Sequence, residues 1–110
     1  MKKNRYLSSF SRNRVYVKKI NQYLEEKMTY KVFRKTMRNA GFSCYEESCN
    51  AYFSRGRNQF YINSCGDFDD GSFCNSDGYV MELCDIEYIS FHKKNFLLFD
   101  VYGRVYRYTY

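Results

Sequence analysis

The hydrophobic period of this chain changes at Gly41, and that change restricts the folds open to it. Upstream, Val17, Ile20 and Leu24 recur at helical spacing, as do Tyr30, Phe33, Met37 and Ala40. Apolar residues at i, i+3 and i+7 make one face of an α-helix. Thr29 suits an N-cap and Gly41 the left-handed stop after a helix, so the spacing predicts a helix over 29–40. An earlier helix is expected over about 14–27. The two meet near Met28 and Thr29, either as a helical hairpin or as one long helix with a bend.

Downstream of Gly41 the period is that of strands. Segments 42–47, 51–54 and 59–63 read as short strands, the last two joined by the turn Arg55-Gly56-Arg57-Asn58. Residues 64–78 are rich in Gly, Asp, Asn and Ser and read as a long loop, with Phe68 and Phe73 as tethers. Segments 79–84 and 86–91 read as two strands or one bent strand. A Lys93-Lys94-Asn95 turn leads into 96–102, and Gly103 reads as a bulge before 104–110. The expected fold class is α+β in a single domain, 1–110. One or two N-terminal basic helices (1–40) pack on an antiparallel sheet of about four to five strands (41–110).

Charge divides at nearly the same place. The chain has a net charge of +6, yet residues 1–38 hold twelve Lys and Arg against two acids, Glu25 and Glu26. Residues 39–110 hold six bases against ten acids. A solubilising face normally mixes both signs, so this imbalance points to an element that engages a polyanion. Lys31, Arg34, Lys35 and Arg38 share one side of the expected second helix, with Arg12, Arg14, Lys18 and Lys19 upstream. Together they span several phosphates, and binding through them would weaken steeply with salt. Arg55 and Arg57 in the hairpin turn extend the footprint. Nucleic acid, or a nucleoprotein complex, is the expected partner.

With 13 Tyr, 10 Phe and no Trp, the chain has many rings that pack and still need a hydroxyl partner. Most belong in the core or at its edge. Tyr106, Tyr108 and Tyr110, interleaved with Arg104 and Arg107, are the candidates for stacking on unpaired bases.

Other chemistries find little in the residues. Four residues separate Cys44 from Cys49, a spacing that suits half of a zinc site. Eight and nine separate Cys65, Cys74 and Cys84, so no second pair completes it. Five cysteines without a secretory signal read as reduced thiols, and no metal or other cofactor is expected. The acidic run Asp67-Phe68-Asp69-Asp70-Gly71 lacks the alternating ligands of a calcium loop and reads as a solvated turn, or as a contact for a basic partner. His92, the one histidine, stands beside Lys93 and Lys94 in no catalytic signature, so no enzyme activity is expected. No apolar run reaches the length of a membrane span.

One further pattern runs from Arg38 to about Phe91. A helix ends in Gly41-Phe42, a strand carries Asn50-Ala51-Tyr52, and a tight turn follows at Arg55-Gly56-Arg57. Tyr61-Ile62-Asn63-Ser64 forms the next strand, with Gly78-Tyr79-Val80-Met81-Glu82-Leu83 as its partner. With the basic N-terminus, this arrangement resembles small phage-encoded anti-CRISPR proteins that inhibit type II Cas9. The resemblance implies a partner that is a Cas nuclease or its guide RNA and DNA groove, met in the cytoplasm of a bacterial host. From the charge pattern alone, two other readings stay open: a DNA-binding regulator using helix 29–40 for recognition, and a small nuclease.

Overall fold

A computed structural model of the chain describes residues 27–110. The expected first helix over 14–27 and the candidate residues Arg12, Arg14, Lys18 and Lys19 lie outside the described residues, apart from Lys27.

Helix α1 (Tyr30–Asn39) forms where its capping residues place it. The Thr29 hydroxyl accepts the Val32 N–H at 3.3 Å. At the other end, Gly41 takes φ 95° and the Gly41 and Phe42 N–H groups return to the carbonyls of Arg38 and Met37. This pair of bonds is a Schellman closure, sealed by burial of Phe42 with Met37. Phe33 and Met37 are fully buried, so the apolar stripe faces the core as its spacing requires.

Five strands follow as one antiparallel sheet: β1 (Ser43–Glu47), β2 (Asn50–Arg55), β3 (Asn58–Asn63), β4 (Ser72–Asn75) and β5 (Gly78–Glu82). They lie in sequence order, each paired with the next. Three more, β6 (Ile86–Phe91), β7 (Asn95–Asp100) and β8 (Val105–Thr109), make a second antiparallel sheet. The described residues therefore hold one helix and two sheets with eight strands, rather than one sheet of four to five.

Two differences separate these strands from the segments expected. The expected loop 64–78 contains β4, which pairs with β3 through Tyr61–Cys74, Ile62–Phe73 and Asn63–Ser72. Its only large apolar residue, Phe73, is not a loop tether but a fully buried core residue. Gly71 permits this pairing. A Cβ there would stand 2.6 Å from the Ile62 side chain, so only glycine lets the chain pass so close. The second difference lies at residues 83–85, where a 3₁₀ turn (Leu83–Asp85) separates β5 from β6 and sends them to different sheets. Leu83 is fully buried and its N–H bonds the Gly71 carbonyl at 2.9 Å, which fixes the break.

The expected bulge at Gly103 is instead part of the β7–β8 turn, at φ 87°. Buried Asp100 organises that turn. Its carboxylate accepts the Tyr102 and Arg104 N–H groups at 2.9 and 2.8 Å and the Arg104 Nε–H at 2.8 Å. A buried carboxylate is tolerated only with this degree of satisfaction.

The core lies on one face of the five-stranded sheet, covered by α1 and by the second sheet. Phe33 meets Phe53 and Phe73 edge-on at 5.1 and 5.9 Å. From the second sheet, Phe96 and Tyr108 each reach Phe60 at 5.2 Å. Edge-to-face pairs of this kind add to the burial of the rings themselves.

Candidate nucleic-acid interface

α1 is held at its start by the connection between β3 and β4 and at its end by Arg55 of β2, and its cations stand where that clamp leaves them. At its start, Asp69 accepts the Tyr30 N–H at 2.8 Å, while the Phe68 ring rests on the Tyr30 ring at 4.7 Å. A carboxylate at a helix N-terminus satisfies an orphan donor and complements the dipole. The acidic run thus has a structural use, as an anchor for the helix. At the end of α1, Arg55 donates from Nη1 to the Ala40 carbonyl at 2.6 Å and lies over the Tyr110 ring at 4.3 Å.

Lys31, Arg34, Lys35 and Arg38 fall at i, i+3, i+4 and i+7 and form one stripe beside the buried face. They line an open cleft of about 690 Å³, with Tyr30 and Asn39 at its ends and Glu46 of β1 on its far wall. Arg34 is not free. Its Nε lies 3.2 Å from Glu46 Oε2 as an ion pair, and the neighbouring Cys44, then Glu46 and Tyr30, favour its charged form. Among the described residues no acid pairs with Lys31, Lys35 or Arg38.

Glu46 has a second partner, since the Tyr30 hydroxyl donates to its Oε2. The same hydroxyl lies 3.6 Å from Cys44 Sγ. Burial first, then these two hydrogen bonds, push the Tyr30 phenol well above its ordinary value, so it stays a donor throughout the physiological range. Tyr30 and Glu46 form one hydrogen-bonded wall beside Arg34, with unpaired Lys31 before it and Lys35 and Arg38 after it along the helix. The cleft presents four positive charges against one carboxylate.

The remaining candidates separate. Arg57 is exposed at the tip of the β2–β3 turn and stands free there. Arg55 is spent on the helix end and on Tyr110, so it braces the interface instead of extending it. Tyr106, Tyr108 and Tyr110 are not open stacking platforms, because all three pack against the core. Tyr108 contacts Phe60, Phe73 and Phe96, and Tyr110 contacts Phe42 and Phe96. Their alternation with Arg104 and Arg107 marks the inner side of β8, as ordinary strand parity would. The contribution that sequence reasoning missed is Glu46, whose partnership with Tyr30 and Arg34 becomes visible only when β1 is laid beside α1.

Chemistry beyond binding is sparsely equipped. Among the described residues no three His, Cys, Asp or Glu side chains gather to hold a metal, and all five cysteines are free thiols. Ser90 Oγ lies 3.1 Å from His92 Nε2, but no carboxylate orients the imidazole from its other side among the described residues. No helix among the described residues is long and apolar enough to cross a membrane. No protein-family model, curated protein or solved structure matches the chain.

Proposed function

We propose that this chain is a non-catalytic polyanion-binding protein that seats the cationic stripe of α1 on the phosphates of a nucleic acid or nucleoprotein. The observation that carries the reading is the run Lys31, Arg34, Lys35 and Arg38 along one open cleft, with Glu46 its one carboxylate. Phosphate oxygens would reach the three unpaired cations directly, and would compete with Glu46 for Arg34. The helix is pinned at both termini, so binding needs little ordering of this element. The resemblance to phage anti-CRISPR proteins narrows the target to a Cas nuclease with its guide RNA, in a bacterial cytoplasm.

Titration of labelled single-stranded RNA and duplex DNA across a salt series, with Mg²⁺ present, tests this. Three or four phosphate contacts predict that log K falls linearly with log salt at a slope of about −2 to −4, with both nucleic acids recovered intact. Binding that ignores salt would remove the electrostatic basis. Strong preference for one duplex sequence would favour a regulator reading DNA through α1, and strand cleavage would favour a nuclease.

A further inference from the structure

The opposite face of the five-stranded sheet carries different chemistry. The registers place Tyr45 beside Tyr52, Tyr52 beside Tyr61, Tyr61 beside Cys74, and Cys74 beside Tyr79. The β-bulge between Phe73 and Cys74 brings Tyr79 into this row. Four tyrosines therefore cross the sheet on the face turned away from the core, and Tyr45 and Tyr79 are 62% and 63% exposed. A polar row flanks them on each side. One is Ser43, Ser54 and Gln59; the other is Glu47, Asn50, Asn63, Ser72 and Glu82.

We propose that this face is a docking surface for a protein partner that presents a flat apolar patch rimmed by Lys and Arg. The surface combines Tyr with Ser and Asn, the mixture that protein-recognition surfaces favour because rigid amphipathic rings give contact area at low entropic cost. The tyrosine hydroxyls of Tyr45 and Tyr52 have no hydrogen-bond partner among the described residues, so they remain to be satisfied by solvent or by a ligand. Among the described residues the strands place no Lys or Arg on this face, and its acids, Glu47 and Glu82, stand at the two ends of one flanking row. A basic rim on the partner complements them.

The same observations disfavour the other occupants. A nucleic acid strand needs cations along its backbone, and the described strands place none on this face. It also needs open ring faces. Here Tyr45 and Tyr52 lie 22° from parallel at 6.3 Å, and Tyr52 and Tyr61 38° at 6.0 Å. At these separations neighbouring rings leave no room for a base to insert between them. A second copy meeting this one through the same face would bring the acids of the two rows together with no cation of that face between them.

The test places a photo-crosslinking p-benzoylphenylalanine at Tyr45 in the full chain and irradiates it in a nuclease-treated bacterial lysate. Any cross-linked protein is identified, purified and titrated with the unmodified chain. The proposal expects the cross-linked peptide to lie beside Lys or Arg, and a complex that weakens at least about tenfold in Tyr45→Ala with Tyr52→Ala. The same complex should keep its affinity in Lys35→Glu, so failure here is separable from failure of the polyanion reading. Circular dichroism of the double variant confirms that the sheet is intact. Cross-links to nucleic acid, to a second copy, to residues 1–26 or to nothing would overturn the proposal, as would a partner indifferent to both tyrosine substitutions.

Discussion

The two faces of the five-stranded sheet use the same kind of residue for opposite ends. On the inner face Phe53, Phe60 and Phe73 are buried and carry α1 and the second sheet. On the outer face, one residue along each strand, Tyr45, Tyr52, Tyr61 and Tyr79 stand at the surface. Both faces are aromatic, and the difference is a hydroxyl. Phe lacks a polar atom and is spent on the core, whereas Tyr tolerates water on one side. The inner face is thus an indirect part of the polyanion interface, because it positions the helix that bears the cations. On the outer face Tyr45 and Tyr79 stay largely exposed.

The largest expected contrast is thermodynamic. Phe53→Ala should cost about 3–5 kcal/mol, the range for truncating a buried Phe, since it empties the contact with Phe33. Tyr52→Ala, on the adjacent residue and the opposite face, should cost about 2 kcal/mol or less, as expected for two cross-strand pairs. Urea denaturation of the two variants measures both. Equal losses would mean that the outer row also holds the fold together, and the division of labour would fail.

Next in size is Arg55. Arg55→Ala removes a charge-assisted hydrogen bond to the Ala40 carbonyl and the contact over Tyr110, and should cost about 1.5–3 kcal/mol. Arg57→Ala, two residues on and exposed, should stay within about 0.5 kcal/mol. Thermal melts of the pair would show whether Arg55 belongs to the inner face. Similar melting temperatures would return it to the free cations.

A smaller effect separates the hydroxyls by pH. Burial pushes the Tyr108 phenol on the inner side up to about 12, from 10.0. A tyrosine with a raised folded pKa binds its proton more tightly in the native state. Its stabilisation is complete below pH 10 and is lost as pH rises from about 10 to about 12. The melting temperature should therefore fall over that interval, and fall less in Tyr108→Phe, which has no proton to lose. Parallel pH profiles for the two proteins would place Tyr108 in solvent.

Much of the helix was legible in the sequence, because its signals are local. Thr29, Gly41 and the Phe33–Met37 spacing bracket the ten residues of α1. The strands on either side of the Arg55-Gly56-Arg57-Asn58 turn were also readable, since Gly56 at φ 64° does what its position asks. β4 was not. Four residues with a single large apolar side chain carry no period, and what makes Ser72–Asn75 a strand is its register on β3. The bracing contacts of Arg55 are hidden for a related reason: its partners, Ala40 and Tyr110, lie on either side of it and far along the chain. The tyrosine row was hidden until the registers aligned it, although Tyr45, Tyr52 and Tyr61 are each visible as alternating positions of a strand. The cationic stripe, in contrast, follows from helical geometry alone, and Glu46 is the addition that only tertiary structure supplies.

The central claim, that α1 meets phosphate through its cations, is tested most directly by the charge-reversal variant Arg34→Glu, Lys35→Glu and Arg38→Glu, titrated with labelled RNA across a salt series. Phe33 and Met37 keep the buried face, and circular dichroism is read first to confirm that the loss of the Arg34–Glu46 pair leaves the chain folded. The account predicts a fall in affinity of at least about a hundredfold and a salt slope shallower by about 2 units, the signature of three lost phosphate contacts on a single strand. A folded variant with unchanged affinity and unchanged slope would contradict it.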